Sequence, residues 1–374
     1  MNFSTITATI QLCTPLHIGA GKSVDETSDE LLLRNARGEI VIPGTSLAGS
    51  LRAVATRLAP HLDDYRLCLA IDPNQQRDPN RACNCLTCLL FGTLNPQEDP
   101  KNGGHAARLR IYDAKLSSNY NLQIRDGVGI DRASGAAARA ERLKYDVEIV
   151  AAGAEFQLRM ELDRRLRGNA REQQALQLLA ATLAEWKAGR GFIGGRSRRG
   201  LGAIQLVDVR FAQSDFANKQ VLFDFLRNGQ DWTAKAGDNK WLEDTVSAAR
   251  QQIQEQASQR SEQANTAQTT PVVAMARTWA KLDFTLAIDG PFLTNDLVHA
   301  TLSGFDHAPV LAQYGRVSAQ GALGVLPGSS LRGVLRSQAE RIARTIATQR
   351  AWGDEQAMNP NAPNIFSKTC PACS

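Results

Sequence analysis

The chain has 374 residues, 43% of them apolar and 22% charged, a balance that excludes collagen-like and wholly disordered classes. The opening Met1-Asn2-Phe3-Ser4 lacks a basic region followed by an apolar core, and no apolar run reaches the length of a bilayer span, so the expected location is cytoplasmic. Net charge is +5, from 43 basic and 38 acidic residues, an excess too small to name a partner by itself.

Residues 5–12 alternate Ile6, Ala8, Ile10 and Leu12 with polar neighbours, which predicts a half-buried strand. Residues 30–34 and 39–42 read as two short strands around a turn at Asn35 and Gly38. Pro43-Gly44 leads into a helix that Thr45 or Ser46 can cap, with Leu47, Leu51, Val54 and Leu58 on one face. Residues 60–107 have no period and carry Pro, Asn, Cys and Gly, as an insertion does. A short strand follows at 108–112, then a strand pair, 146–150 and 156–162, around Gly153. A second helix at 171–186 puts Leu176, Leu179, Leu183 and Trp186 on one stripe, and a final strand occupies 203–209. Without the insertion the order is βαββαβ, which predicts an α+β, ferredoxin-like core. The RRM family uses the sheet of that fold as an RNA platform, although the fold alone does not establish RNA binding.

Residues 213–276 read as a helical and Gln-rich linker, helical from Trp241 and then rich in Gln, Ser, Ala and Thr. Beyond it the opening pattern returns. Leu282, Phe284, Leu286 and Ile288 alternate, and Leu326-Pro327-Gly328-Ser329-Ser330-Leu331 repeats Ile42-Pro43-Gly44-Thr45-Ser46-Leu47 at an offset of 284 residues. Leu331, Val334, Leu335 and Ile342 repeat the helix face, and Cys370 and Cys373 follow Cys85 and Cys88 by 285 residues. Three different features in register argue for an internal duplication: a first repeat over 1–212 and the N-terminal part of a second over 277–374. The second copy has no counterpart of residues 108–209, so it does not close a core by itself. Completion is expected from a chain continuing past Ser374, or otherwise from another subunit.

Cys83, Cys85 and Cys88 fall within six residues of the insertion, which is metal-ligand spacing rather than the spacing of a disulfide framework. A tetrahedral structural zinc site is expected, with Cys68 as fourth ligand, or else His61 or His105. An all-thiolate shell leaves no open catalytic position. Cys370 and Cys373 supply half of such a shell in the second copy.

Basic residues cluster in two places: Arg132, Arg139, Arg142 and Lys144, and Arg190, Arg196, Arg198 and Arg199 among glycines. Glycine lets a chain approach phosphates and present N–H groups, and arginine adds planar donors. Gly194, Gly195, Arg196, Arg198 and Arg199 are therefore candidates for an RNA-backbone cradle; the alternative is an ordinary turn with solvated arginines. No Gly-Lys-Ser/Thr opens a helix after a strand here, so the loop is not a nucleotide-binding P-loop.

Four stretches together resemble a known family. Leu16-His17-Ile18-Gly19 follows the first strand, and Ile42-Pro43-Gly44-Thr45-Ser46-Leu47 leads to Arg52. Gly127-Val128-Gly129-Ile130-Asp131-Arg132 precedes Ser134-Gly135-Ala136-Ala137, and Gly194-Gly195-Arg196-Ser197-Arg198-Arg199-Gly200-Leu201-Gly202 comes last. In this order they resemble the RAMP superfamily of CRISPR-associated proteins, and within it the repeated backbone subunit of type III effector complexes. The stretches span 1–211, and the first part of the pattern recurs in 277–374. There is one departure: the basic residue that usually follows the helix leucine is Arg332 in the second copy but Ala48 in the first.

The resemblance implies a ribonucleoprotein subunit whose partners are a guide CRISPR RNA, a target RNA and other subunits, with no membrane. It implies RNA contacts at Gly19, Gly21, Lys22, Ser46 and Arg52, and at Ser330, Arg332 and Arg336 of the second copy. Residues 123–145 read either as a surface hairpin with charged flanks or, as the resemblance implies, as a thumb that interrupts the guide–target duplex, with Val128 and Ile130 as apolar wedge and Arg125 and Arg132 on phosphates. The resemblance also implies a catalytic aspartate between the first strand and the Pro-Gly motif. Asp29 and Asp306 match that place, with Asp25 and Asp296 as nearby competitors. A carboxylate there could hold a divalent cation, expected to be magnesium, while the RNA's own 2′-hydroxyl attacks; the alternative is a loop aspartate capping a turn. His17, His299 and His307 have no partner legible in the sequence and read as packing or backbone-bonding residues. The expected function is guide binding with metal-dependent cleavage of target RNA. A purely architectural RNA-binding subunit is the alternative. A guide-precursor-processing endoribonuclease fits less well, because such enzymes usually lack a zinc insertion and a thumb.

Overall fold

Residues 2–21, 30–63, 68, 83, 85–93, 106–129, 144–164, 170–216, 218–228, 237–264, 282–295, 300, 304, 306–312 and 323–351 are described by the computed structural model of the protein. Its strands are β1 (Asn2–Leu12), β2 (Val41–Ile42), β3 (Leu109–Ile111), β4 (Ala114–Leu116), β5 (Leu122–Val128), β6 (Lys144–Val150), β7 (Glu155–Asp163), β8 (Gly191–Phe192), β9 (Ala203–Asp215), β10 (Leu311–Ala312) and β11 (Leu323–Gly324). Its helices are α1 (Gly44–Leu62), α2 (Leu86–Phe91), α3 (Ala170–Lys187), α4 (Lys219–Asn228), α5 (Trp241–Ala264) and α6 (Gly328–Ala351).

The architecture is mixed α+β around a curled antiparallel sheet ordered β2-β4-β7-β1-β9-β8, with β3 also on β7. Alternation along β1 aims Ile6, Ala8, Ile10 and Leu12 at one face, opposite Met160, Leu158 and Phe156 of β7, and all of these are buried. Leu47, Leu51 and Val54 of α1 and Leu179, Leu183 and Trp186 of α3 belong to the same core. Removing each such large side chain from water is worth about 1.5–3 kcal/mol. The other face of the strands carries Thr7, Thr9, Gln157, Arg159 and Glu161, and the exposed Tyr112 lies against Arg159 with its hydroxyl donating to Glu161 at 2.8 Å.

β9 runs past Val209, where the alternation in the sequence stops. Between Thr7 and Thr9 the register slips, so that Asp208 and Val209 together oppose Ala8. Asp208 stands at φ 51°, in the left-handed region that aspartate tolerates better than most residues. This bulge lets Ile204 and Leu206 before it, and Val209 and Phe211 after it, all point into the core. The extended end of β9 then receives α5, whose Trp241 stacks on Phe211 with ring centroids 4.2 Å apart. α5 also packs on α3, and its Leu242 and Ala249 are buried in the main core, so part of the segment read as a linker belongs to that core.

Four other expectations need correction. The strands at 146–150 and 156–162 are not a pair: β6 pairs with β5, and β7 pairs with β1, β3 and β4. The chain between them passes the end of β1, where Gly153 N–H donates to the Leu12 carbonyl and Leu12 N–H to that of Ala154. Neither Thr45 nor Ser46 caps α1 with its side chain. Pro43 holds the cap position, and the Gly44 N–H donates instead to Asp113 Oδ1 at 2.8 Å, a partner 69 residues away. Residues 30–34 form single bridges, Glu30 to Val147, Leu32 to Gly19 and Arg34 to Ile40, in place of a continuous strand. Residues 282–288 alternate as β1 does but pair with no strand among the described residues, and Leu282, Phe284, Leu286 and Ile288 are exposed.

Candidate functional site

Two places bring together the residues that the sequence singled out. The first is the insertion. α2 begins at Cys85, whose sulfur accepts the Cys88 N–H at 3.4 Å, so one helical turn sets these two side chains side by side. Leu86 and Leu90 on the same short helix are buried in the main core and tie the turn to α1 and α3. The Sγ atoms of Cys68, Cys83, Cys85 and Cys88 all lie within 4.8 Å of one another, and Cys68 and Cys88 are 3.5 Å apart. A tetrahedral zinc with bonds of about 2.3 Å needs sulfurs about 3.8 Å apart, so the four could hold a metal ion such as zinc. Hydrogen bonds with Cys68 and Cys83, reinforced by burial, push the Cys85 thiol up, and the same neighbours raise Cys88. Hydrogen bonds from Cys68, Cys85 and Cys88 pull Cys83 down. Sulfurs this close ionise together only around a cation. Cys68 is thus the converging fourth cysteine; His61 is not in the group, and His105 lies outside the described residues. Arg52 turns to the same cluster, its Nη2 donating to Cys88 Sγ at 3.6 Å. Cys370 and Cys373 lie outside the described residues.

The second place is the glycine-rich loop between β8 and β9. It is clamped against the segment after β1: Gly195 N–H donates to the His17 carbonyl at 2.9 Å, and Gly202 N–H to that of Pro15 at 2.8 Å. A Cβ on Gly202 would stand 1.9 Å from the Ile193 carbonyl oxygen, and its φ is +74°, so only glycine fits there. The clamp presents Arg198 and Arg199 outward on a single 3-10 turn, both exposed. Arg196 behaves differently. Its Nη2 is 2.8 Å from Glu30 Oε1, and its guanidinium carbon is 4.2 Å from the ring centroid of Tyr145.

Tyr145 stands on β6, directly across from Gly127 on β5. β5 and β6 form the base of the hairpin expected at 123–145. Arg125 and Val128 lie on it, Val128 about half exposed, whereas Ile130 and Arg132 fall outside the described residues. The hairpin base, the glycine loop and the stretch 16–21, with Gly19 and Gly21, therefore meet. Glu30 Oε2 lies 3.4 Å from His17 Nε2, and His17 Nδ1 is 2.7 Å from the Glu148 carbonyl oxygen. A carbonyl only accepts, so Nδ1 carries a proton. Glu148 in turn receives Leu32 N–H at 2.9 Å and Arg34 at 3.0 Å. His17 is thus a buried backbone-bonding residue, as the sequence suggested, but with a charged neighbour that the sequence did not reveal. Glu30, Tyr145 and Glu148 were not legible as site residues; Gly127, the gap across from Tyr145, was the one available signal.

The remaining candidates scatter. Ser46 sits half-buried in the first turn of α1. Lys22 and Asp29 lie outside the described residues, and Asp306 is exposed on its loop. On α6, Ser330 is exposed and Arg336 is 3.2 Å from Glu340. Arg332 Nη1 lies 3.5 Å from the Arg198 carbonyl oxygen, and Gly328 packs on Gly200, where an added Cβ would stand 3.1 Å from the Gly328 Cα. The start of α6 thus touches the glycine-rich loop. Among the described residues no helix is long and apolar enough to cross a membrane.

Two comparisons place the chain among known proteins. Over 210 residues, 54% of this chain and 77% of the other, the chain is 27% identical to the CRISPR system Cms endoribonuclease Csm3 of Methanocaldococcus jannaschii. The family described as the RAMP superfamily matches residues 9–205, from the middle of β1 through the glycine-rich loop into β9. The chain belongs to the RAMP superfamily.

Proposed function

We propose that the protein is a guide-RNA-binding backbone subunit of a type III CRISPR ribonucleoprotein that also cuts target RNA paired to the guide. The observation that carries this reading is the clamped glycine-rich loop, with Arg198 and Arg199 turned outward beside the base of the β5–β6 hairpin. Such a loop suits a phosphate backbone, and a hairpin beside it suits a wedge between stacked bases. The relative from Methanocaldococcus jannaschii, named as a CRISPR system endoribonuclease, supports the same assignment. We read the core as ferredoxin-like, because β4, β7, β1 and β9 follow one another in the sheet with α1 and α3 as the two crossovers. We read 277–374 as the start of a second such repeat, and the four cysteines as a structural zinc centre that fastens the insertion to α1.

Cleavage is assigned to Asp29 in the first repeat and Asp306 in the second; each would hold a divalent cation, expected to be magnesium, which would supply charge stabilisation for the phosphate under attack. The RNA's 2′-hydroxyl attacks the adjacent phosphorus and the 5′-oxygen of the next nucleotide leaves, so the upstream product ends in a 2′,3′-cyclic phosphate and the downstream one begins with a 5′-hydroxyl. The test uses the assembled complex with a guide-paired target. Asp29→Ala and Asp306→Ala should each remove one cut and leave the other, with guide binding retained, and chelation should stop both. An unchanged cut pattern in the double variant would sink cleavage by these residues. It would leave the architectural reading, which draws on Asp306 standing exposed as any turn-capping loop aspartate does.

A further inference from the structure

Arg196 occupies the most costly backbone position of its loop. Its φ of 58° and ψ of 24° are left-handed, a region where glycine sits freely and other residues lose on the order of 1 kcal/mol. Glycine is used at Gly194, Gly195, Gly200 and Gly202 of the same loop, yet an arginine stands here. What this side chain touches explains its presence. One nitrogen meets Glu30 at 2.8 Å, and the guanidinium carbon lies over the Tyr145 ring, 4.2 Å from its centroid. The ring is held in turn. Arg199 Nη1 donates to its hydroxyl at 3.3 Å, and a Cβ on Gly127 across the hairpin would stand 2.2 Å from Tyr145 Cζ, so the ring fills the space that Gly127 leaves. Glu30 is fixed from its backbone as well, donating its N–H to the Asp146 carbonyl at 3.2 Å and accepting from Glu148 N–H at 3.0 Å.

Three segments far apart in the sequence are therefore joined at one guanidinium: the glycine-rich loop, the first residues of β6, and the segment entering at Glu30. We propose that Arg196 is a positioning residue, a latch that fixes the hairpin base against the loop, and that phosphate contact is left to Arg198 and Arg199. Its charge is already met by Glu30 and its flat face by Tyr145, so little of it remains for a phosphate. Arg198 and Arg199 are exposed on the next turn. The latch sets the distance between the outward arginines and the hairpin, and thereby the register in which an RNA meets both. This deepens the RNA-binding reading and rests on it.

The test separates positioning from phosphate contact through salt dependence. Each lost phosphate contact on a single strand lowers the slope of log affinity against log salt by about 0.7. Arg196→Gly is the chosen variant, because glycine adopts this φ without strain and the loop keeps its turn. It should weaken binding of a single-stranded RNA oligonucleotide about tenfold with the salt slope unchanged. Arg198→Ala should lower the slope. Amide exchange, read without RNA, should quicken about tenfold in residues 144–148 of Arg196→Gly and stay as in the parent in α3. Tyr145→Phe, which keeps the ring face and loses only the Arg199 hydrogen bond, should stay closer to the parent than to Arg196→Gly, and Tyr145→Leu should copy Arg196→Gly. A lowered slope in Arg196→Gly, or unchanged exchange in residues 144–148, overturns the latch. If the parent protein binds no RNA, the RNA-binding reading fails, and the exchange measurement still decides on the latch.

Discussion

α1 and α6 start from the same pattern and end in opposite surroundings. Each follows a hydrophobic residue, Pro and Gly, and in each the proline carbonyl accepts the two N–H groups of the first turn: Ser46 and Leu47 on Pro43, Ser330 and Leu331 on Pro327. Leu51 of α1 is fully buried, whereas Leu335 at the matching place on α6 is 56% exposed. Val334 and Ile342 are about as open. Local sequence makes both segments helical, and what differs is what lies beside them. α1 has the sheet, α2 and α3; among the described residues α6 has the edge of the glycine-rich loop. An amphipathic pattern thus specifies a helix and a direction to face, and a partner is needed before that face stabilises anything.

The comparison can be broken most severely at the cysteines. Cys85→Ser with Cys88→Ser should cost one equivalent of bound metal by elemental analysis and loosen α2. The end of α1 should then become as unsupported as α6, with amide exchange rising there while β1, β7 and β9 stay protected. Arg52→Ala belongs to the same test: facing Cys88, it should weaken metal retention under chelator rather than change the salt slope of RNA binding. Next comes the matched leucine pair. Leu51→Ala should destabilise the protein by about 2–5 kcal/mol in chemical denaturation, and Leu335→Ala by less than about 0.5 kcal/mol. Equal losses would mean that the exposed face of α6 is covered in solution. The smallest effect concerns the remote cap. Asp113→Ala removes the acceptor of the Gly44 N–H and should cost about 1 kcal/mol, with Asp113→Asn recovering most of it.

What the sequence revealed follows a physical division. Strong periodicity found β1, α1, β7 and α3, because burial on one face leaves its period in the chain. It misjudged β9 at Asp208, where the bulge shifts the phase by one residue and ends the alternation without ending the strand. Pairing was less legible than existence: β6 was visible as a strand but was matched to 156–162, although the hairpin expected at 123–145 already contained its partner β5. The alternation at 282–288 shows the converse, since a period is no guarantee of a ladder, and among the described residues no strand pairs with it. In the candidate site, spacing found Cys83, Cys85 and Cys88, and composition found the glycine–arginine loop. The Glu30–Arg196–Tyr145 junction joins residues 115 and 51 positions apart, and no local rule reads such distances. His17 was seen as backbone-bonding, but its neighbour Glu30 depends on the same long-range closure.

The contact between Gly200 and Gly328 has a thermodynamic consequence. Gly200 belongs to the loop that presents Arg198 and Arg199, and Gly328 opens α6, with Arg332 reaching the Arg198 carbonyl beside them. A polyanion settling on that loop and α6 seating against it act on one stretch of backbone. Their free energies are therefore linked, and linkage is reciprocal: whatever factor the seating of α6 applies to affinity for the polyanion, the polyanion applies to the seating of α6.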